Sequence, residues 1–347
     1  MSTMTDHSSS EEIVDYILRI TREIWEDRNP DLVMRYYGPE ARIHALGGIM
    51  QGAAAVTENT RAMQAAFPDR LVIGEDVVCS PLDGGAWLSS HRIRSPMTSK
   101  GENAYGPATG RKVTTHVMAD CVVSNGLIEK EWLVRDNLSL VRQLGLDPLK
   151  VARREAARSH PDEHSRWLAS ERKRVLNASR PTSEPASPSE PALSSDPASP
   201  PDPQHDPLGF AREILLGLWQ NPSEFCEAAY APYAVLSDSD REVAGASDIF
   251  SHYAALRESL NVLRLSVDHA GLQARGGGWT LAARWTAAAE HAQEFEGLPA
   301  TRAPLFLMGI THWWLTGGRV AREWTVFDRL ALMEQILRHG VKFARGK

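Results

Sequence analysis

The sequence is poor in cysteine. Cys79, Cys121 and Cys226 are the only three in 347 residues, far apart and in no CxxC pair. That argues against a disulfide framework or a zinc knuckle and makes a reducing, cytoplasmic setting the expectation. No stretch approaches the roughly 18 consecutive apolar residues of a transmembrane helix, so no membrane partner is expected. The opening MSTMTDHSSSEE has neither a basic region nor an apolar core, so no secretory signal is expected. Positive charge is not in excess either. The 38 Lys and Arg against 44 Asp and Glu give a formal charge of −6, which leaves no field to drive phosphate contacts and argues against nucleic acid. GxGxxG after a strand, GxxxxGK[ST], HExxH and GxSxG are all missing. His160 and His164 have i,i+4 spacing but no third ligand nearby. The expectation is therefore no cofactor and no metal. Proton transfer, aldol closure, dehydration and hydrolysis fit best.

What the chain does contain is one unit written twice. With Trp87 set on Trp279, residues 84–145 run against 276–337 without a gap, and 16 of 62 positions are identical. GLIEKEWLVRDNLSLVRQ (126–143) falls on GRVAREWTVFDRLALMEQ (318–335) with eight of 18 identical. One inserted residue extends the match, so that Tyr37-Gly38-Pro39 meets Tyr230-Ala231-Pro232 and Gly52 meets Gly245. Each copy is long enough for its own core. The expected organisation is a first domain at 10–147, a connector at 148–206 and a second domain at 207–340. Residues 178–207 hold nine of the 21 prolines and read as an unstructured linker. Residues 150–177 are Arg-rich. Charge runs are usually solvated faces, and one is expected here, with a docked helix carrying Trp167, Leu168, Val175 and Leu176 as the alternative.

Within a copy the elements are legible. Ser9 with Glu12 forms a capping box ahead of Ile13, Ile17, Ile20 and Ile24 at helical spacing. Asn29-Pro30 ends that helix, and a second, holding Val56, Met63 and Phe67, stops at Pro68. Strand-like runs follow at 71–79, 86–95, 112–123 and 127–136, with Asn125-Gly126 as a hairpin turn. Helices first and antiparallel strands afterwards make an α+β fold with helices on one face of a curved sheet.

The first candidates for chemistry are Asp136 and Asp328, which end the last strand of each copy. Period-2 alternation puts Trp132, Val134 and Asp136 on one face, and Trp324, Val326 and Asp328 likewise. If that face lines the space under the helices, desolvation raises the carboxyl pKa and suits it to acid–base work. The other reading is an N-cap for the turn that follows. His116, on the preceding strand, is the second candidate. A strict two-residue turn pairs Thr115 with Asp136, so His116 faces away unless a bulge shifts the register. Copy two has Met308 at that position and carries His312 where copy one has Asp120. Tyr16, His44, Asn59 and His91 are candidate polar groups over a cavity, with structural roles as the alternative for each.

The two helices, the strand set, Pro107-Ala108-Thr109-Gly110 and the ending GlyLeuIleGluLysGluTrpLeuValArgAsp (126–136) make each copy resemble the SnoaL-like polyketide cyclases and ester cyclases of the NTF2-like superfamily. The resemblance covers about 10–147 and 207–340. It implies two tandem cone folds, each a curved antiparallel sheet wrapped around helices over a deep pocket. It implies cofactor-free intramolecular aldol chemistry, with acid–base roles for Asp136 and Asp328 and an assisting one for His116. It implies a small hydrophobic or carbonyl-containing ligand; the residues expected to touch that ligand are Tyr16, His44, Asn59, His91, Trp132, His312 and Trp324. It also implies sheet-face pairing, as a homodimer or within the chain. Three functions follow as alternatives: a cofactor-independent enzyme, a pocket that binds without turnover, and a protein-interaction module. The enzyme is the reading carried forward.

Overall fold

The computed structural model describes residues 9–158, 162–178, 201–238 and 241–345. The first half begins with α1 (Ser10–Thr21), capped by Ser9, whose hydroxyl accepts from the Glu12 amide at 3.3 Å. A turn of π-helix, Arg22–Glu26, closes α1 and carries Trp25. Then come α2 (Val33–Tyr36), β1 (Tyr37–Ala45), β2 (Gly48–Gln51) and α3 (Gly52–Ala66). The rest of the sheet is β3 (Ile73–Pro81), β4 (Trp87–Thr98), β5 (Lys112–Ser124) and β6 (Leu127–Arg135), followed by α4 (Asn137–Gln143). Asn125 and Gly126 turn between β5 and β6 with φ of 50° and 71°, the left-handed pair a two-residue hairpin demands.

The connector forms α5 (Pro148–Ala157) and α6 (Asp162–Asn177). The second half repeats the plan with α7 (Pro207–Trp219), α8 (Glu224–Ala229), β7 (Tyr230–Asp238), β8 (Arg241–Ala244) and α9 (Ala246–Ser259). Its sheet continues through β9 (Leu260–Arg275), β10 (Gly278–His291), β11 (Pro304–Thr316) and β12 (Arg319–Phe327), and α10 (Arg329–Arg345) ends it. No described helix is long and apolar enough to cross a membrane.

Each half is a six-stranded sheet, in the orders β2-β1-β6-β5-β4-β3 and β8-β7-β12-β11-β10-β9. The sheets are mixed rather than purely antiparallel, because β1 runs parallel to β6 and β7 parallel to β12. A run of helix between β1 and the later strands permits that parallel neighbour. The inner face of the first sheet meets Ile13, Ile17, Ile20 and Val56 from α1 and α3.

The outer faces of the two sheets are buried too, because they face each other. Leu46, Met118 and Val134 of the first half share an apolar cluster with Phe306, Met308, Ile310 and Val326 of the second. Around it the repeat generates a matched pair of contacts. The Arg92 guanidinium lies 3.6 Å over the Trp324 ring, and Arg284 lies 3.6 Å over Trp132. Arg284 also forms a 2.9 Å ion pair with Asp120, both side chains buried.

The Arg-rich segment corrects the solvated-face expectation. Val151 and Ala152 of α5 are buried in the second half's core, and Val175 of α6 is buried against the shared cluster, with Trp167 packed on it. The arginines sit at the edges of these contacts, where Arg174 reaches Asp268 at 3.1 Å. A charge run hides an apolar stripe when long stems cover it. The Pro/Ser-rich linker assignment falls mostly at 179–200, outside the described residues, as does the His160 of the i,i+4 pair.

Candidate active site

The first cone encloses a cavity of about 90 Å³. Its floor and walls are apolar: Ile17 and Ile20 from α1, Val56 and Met63 from α3, and Ile93, Val117 and Leu133 from the sheet. Set among them are Glu131 and Arg135 of β6, His91 of β4, Asn59 and Thr60 of α3, and Arg70 just before β3. Glu131 is 6% exposed and accepts a 2.8 Å hydrogen bond from the Tyr37 hydroxyl. Burial raises its pKa above the usual glutamate value, against the opposing pull of the Tyr37 bond and the positive charge of Arg135. His91 is pushed down to about 4, chiefly by burial, so its imidazole is neutral near pH 7. Its Nε2 is buried with no hydrogen-bond partner. A neutral imidazole and a raised carboxyl on one apolar wall can trade a proton with a bound molecule and hold its oxygen. Among the described residues no three His, Cys, Asp or Glu side chains are placed to hold a metal ion.

The second cone is filled. Trp219, Trp285, Phe327 and Tyr253 pack at its centre, with ring centroids of Trp219 at 5.1 Å from Trp285 and 5.5 Å from Phe327. By the repeat, Trp285 stands at Ile93, Trp313 at Cys121, Tyr253 at Thr60 and Phe327 at Arg135. His91 becomes Ala283. The buried acid is kept: Glu323 accepts from Tyr230, from Tyr253 at 2.6 Å and from Thr325 at 2.7 Å. Gly309 makes room for the indole, since a Cβ there would sit 2.2 Å from Trp285. Gly309→Ala is therefore expected to cost about 1–3 kcal/mol by overpacking. Trp285→Ile in the same chain should recover much of that loss in urea unfolding. A Gly309→Ala protein as stable as the parent would contradict this packing.

The residues singled out from sequence divide across the sheet. Inside the first cone are His91 and Asn59. Tyr16 is a core residue whose hydroxyl donates to the Gly126 carbonyl at 2.8 Å, tying α1 to the hairpin turn. A bulge that shifts the register is present, with Glu129 of β6 as the extra residue opposite the Val122–Val123 step, and the Asp136 amide donates to the His116 carbonyl at 3.1 Å, so the expectation that His116 faces away from Asp136 is corrected. His116 and Asp136 are thus cross-strand neighbours. The face they share with Trp132 and Val134 is, however, the one turned to the second half, and the expectation that it lines the cavity is corrected. Glu131, Leu133 and Arg135 take that place. Both faces of β6 are buried, so no apolar/polar alternation marked which one was inward.

Asp136 caps α4, accepting from the Ser139 amide at 3.1 Å. Asp328 accepts from the Ala331 amide at 3.1 Å and from the Asn137 side chain at 2.6 Å across the junction of the halves. Burial does push Asp328 up to about 6, but in a packed joint rather than a pocket. His44 lies on the outer face, 5.3 Å from the Trp167 ring and 6.1 Å from Trp132. His312 is fully buried between the sheets, with Nε2 2.9 Å from the Ser90 hydroxyl, and burial with the nearby Arg92 charge lowers it to about 3. Trp132 and Trp324 carry the two guanidiniums described above. Sequence reasoning missed Tyr37, Glu131, Arg70 and Arg135. The signal for the first two was present, since both are identities between the copies.

The joint also holds Glu334 on α10, pushed up to about 8 by burial and by the charges of Asp328 and Glu155, with Arg338 and Arg158 opposing. Folded, Glu334 and Asp328 keep protons that the unfolded chain releases earlier. This contribution is complete below about pH 4 and is lost as pH rises toward about 8. The urea midpoint is expected to fall across that window, and Glu334→Gln to flatten the fall. An unchanged slope in Glu334→Gln would assign the pH dependence to other groups.

The family described as SnoaL-like polyketide cyclase matches residues 15–144 and again 217–336. No curated protein matches. Among solved structures, TsrD from Streptomyces laurentii is 19% identical, over 40% of this chain and 98% of that one, with a TM-score of 0.36. IdmH from Streptomyces antibioticus is 22% identical, over 38% and 98%, with a TM-score of 0.33. A SnoaL-like polyketide cyclase from Agrobacterium tumefaciens is 18% identical, over 42% and 100%, with a TM-score of 0.32.

Proposed function

The chain belongs to the SnoaL-like polyketide cyclase family, and from that membership we propose that its first half enolises a carbonyl compound without a cofactor, as the opening step of a ring closure, with Glu131 as the base. The observation that carries this is the placement of Glu131: a buried carboxylate on the wall of the first cone's cavity, where the equivalent interior of the second cone is packed with aromatic rings. Ionised, Glu131 takes a proton from the carbon next to a carbonyl. The C–H electron pair moves into the enolate, whose oxygen is held by the neutral His91 or by Arg135. The enolate carbon then bonds to a second carbonyl carbon of the same molecule, and the new alkoxide takes the proton back from Glu131. The walls exclude water, which strengthens each of these interactions. A cavity of about 90 Å³ suits a small molecule or the reacting end of a larger one. The second half supports the first by covering its outer sheet face, so the chain serves as its own dimer.

One observation favours a second reading, a pocket that binds without turnover. The buried acid and its tyrosine recur in the filled second cone, as Glu323 and Tyr230, which are hydrogen-bonded there as in the first. Deuterium exchange separates the two. In D2O, with no metal or cofactor added, small diketones should gain deuterium next to the carbonyl faster with the protein than without it. Glu323→Gln should keep the exchange, and Glu131→Gln should lose it. Saturable ligand binding with no exchange by the parent protein would establish the second reading.

A further inference from the structure

Two arginines line the first cavity, Arg70 and Arg135, against a single carboxylate, Glu131, which Tyr37 already engages. With His91 neutral, the wall carries an excess of one positive charge. Elsewhere in the molecule buried guanidiniums are matched: Arg284 by Asp120, and Arg329 by Asp238. Among the described residues neither Arg70 nor Arg135 forms a salt bridge. Burial, with the like charge of Arg135 adding to it, pulls Arg70 down to about 10.

Arg70 is also held in place. Its Nε donates to the Ser95 hydroxyl at 2.8 Å, and Ser95, fully buried, donates in turn to the Leu71 carbonyl at 2.6 Å. Anchoring through Nε leaves the two terminal nitrogens, the fork that suits a carboxylate. The second cone supplies the contrast. Where the cavity is gone, Arg135 is replaced by Phe327. Arg135 is close enough to the carboxylates of Glu131 and Asp328 to favour their charged forms, whereas Arg70 has Arg135 beside it and no carboxylate acting on it; the second cation thus goes with the open cone, and burying it there is costly unless an anion joins it.

We propose that the first cone takes a substrate bearing a carboxylate, gripped by Arg70 and Arg135, with its carbonyl end presented to Glu131. The inference rests on the first cone being the ligand site and deepens that reading by naming the substrate class. It also sets a direction within the pocket, since the anionic end goes to the arginines and the acidic C–H goes to the base.

Calorimetric titration with levulinate and with methyl levulinate tests it at pH 7, on the full chain. The acid and its ester share the ketone and differ in charge. The parent protein should bind the acid at least tenfold more tightly, and the preference should weaken with added salt. Arg70→Met and Arg135→Met should each reduce the preference to within about threefold. Arg70→Lys, which keeps the charge, should retain part of it and guards against a misfolded Met variant. Equal affinities in the parent, including no measurable binding of either compound, overturn the proposal, as does a preference that survives in both folded Met variants. Binding is read without turnover, so an inactive base leaves this result untouched. Glu131→Gln should keep the acid preference even where it abolishes exchange.

Discussion

Glu131→Gln is expected to lower the turnover number by about 10²–10⁴-fold, the usual worth of a positioned acid–base group, while ligand affinity changes little. The amide fills the same volume and can still accept from Tyr37, so the Tyr37 bond that measures 2.8 Å with Glu131 has a partner in the variant. The pH profile gives the sharper readout. Burial raises the Glu131 pKa, and the base must be ionised to act. The parent's rate should therefore rise with pH through a value above that of a free glutamate, and Glu131→Gln should lack that limb. Tyr37→Phe removes the bond that lowers the Glu131 pKa, so the limb should move to higher pH with a modest loss of rate. A Glu131→Gln protein with the parent's rate and pH profile would sink the assignment.

Much of the fold was legible because the same instructions occur twice. Capping at Ser9 and the Asn125-Gly126 turn are local chemistry, and each sits where the spacing put it; the first helix stops earlier than expected, at Glu26, and Asn29-Pro30 starts a short 3-10 turn instead. The parallel pairing of β1 with β6 was not legible, since no short-range signal reports which strand a distant one will join. Nor was the inward face of β6. A strand with one wet face declares its parity through alternation, but here Trp132 and Val134 are buried on one side, and Glu131 and Leu133 on the other. Choosing the face with the tryptophan led to Asp136, one residue from the cavity-lining Arg135. The docking of α5 and α6 was hidden for a related reason: Val151, Ala152 and Val175 are few among many arginines, and what they cover lies far along the chain.

Duplication also explains why the two cones differ. A cavity weakens a fold roughly in proportion to its volume, so a copy not required to hold a ligand can gain stability by filling. Trp285 at the Ile93 position, with Gly309 opposite, does that. The outer faces diverged as well. In a dimer of identical halves both copies of a contact must be the same. Within one chain Asp120 pairs with Arg284 on one side, while on the other its counterpart is a neutral His312 bound to Ser90, and Arg92 turns to Glu75 at 3.3 Å.

That asymmetry makes the Asp120–Arg284 pair the contact whose removal should be felt most in stability. The two side chains are 0% and 6% exposed, joined at 2.9 Å, with the guanidinium stacked on Trp132. Asp120→Ala leaves a buried cation without its partner, and the expected loss is about 3–5 kcal/mol in urea unfolding. Removing both charges should behave differently. Asp120→Leu with Arg284→Met keeps apolar volume against Trp132 and strands no charge, so it is expected to recover most of that loss and can match the parent. The double-mutant cycle then reports the coupling directly. If Asp120→Ala unfolds at the parent's urea midpoint, the pair is not the clasp between the sheets. If the double variant is as weak as Asp120→Ala, the loss comes from packing at the Asp120 site and not from an orphaned arginine.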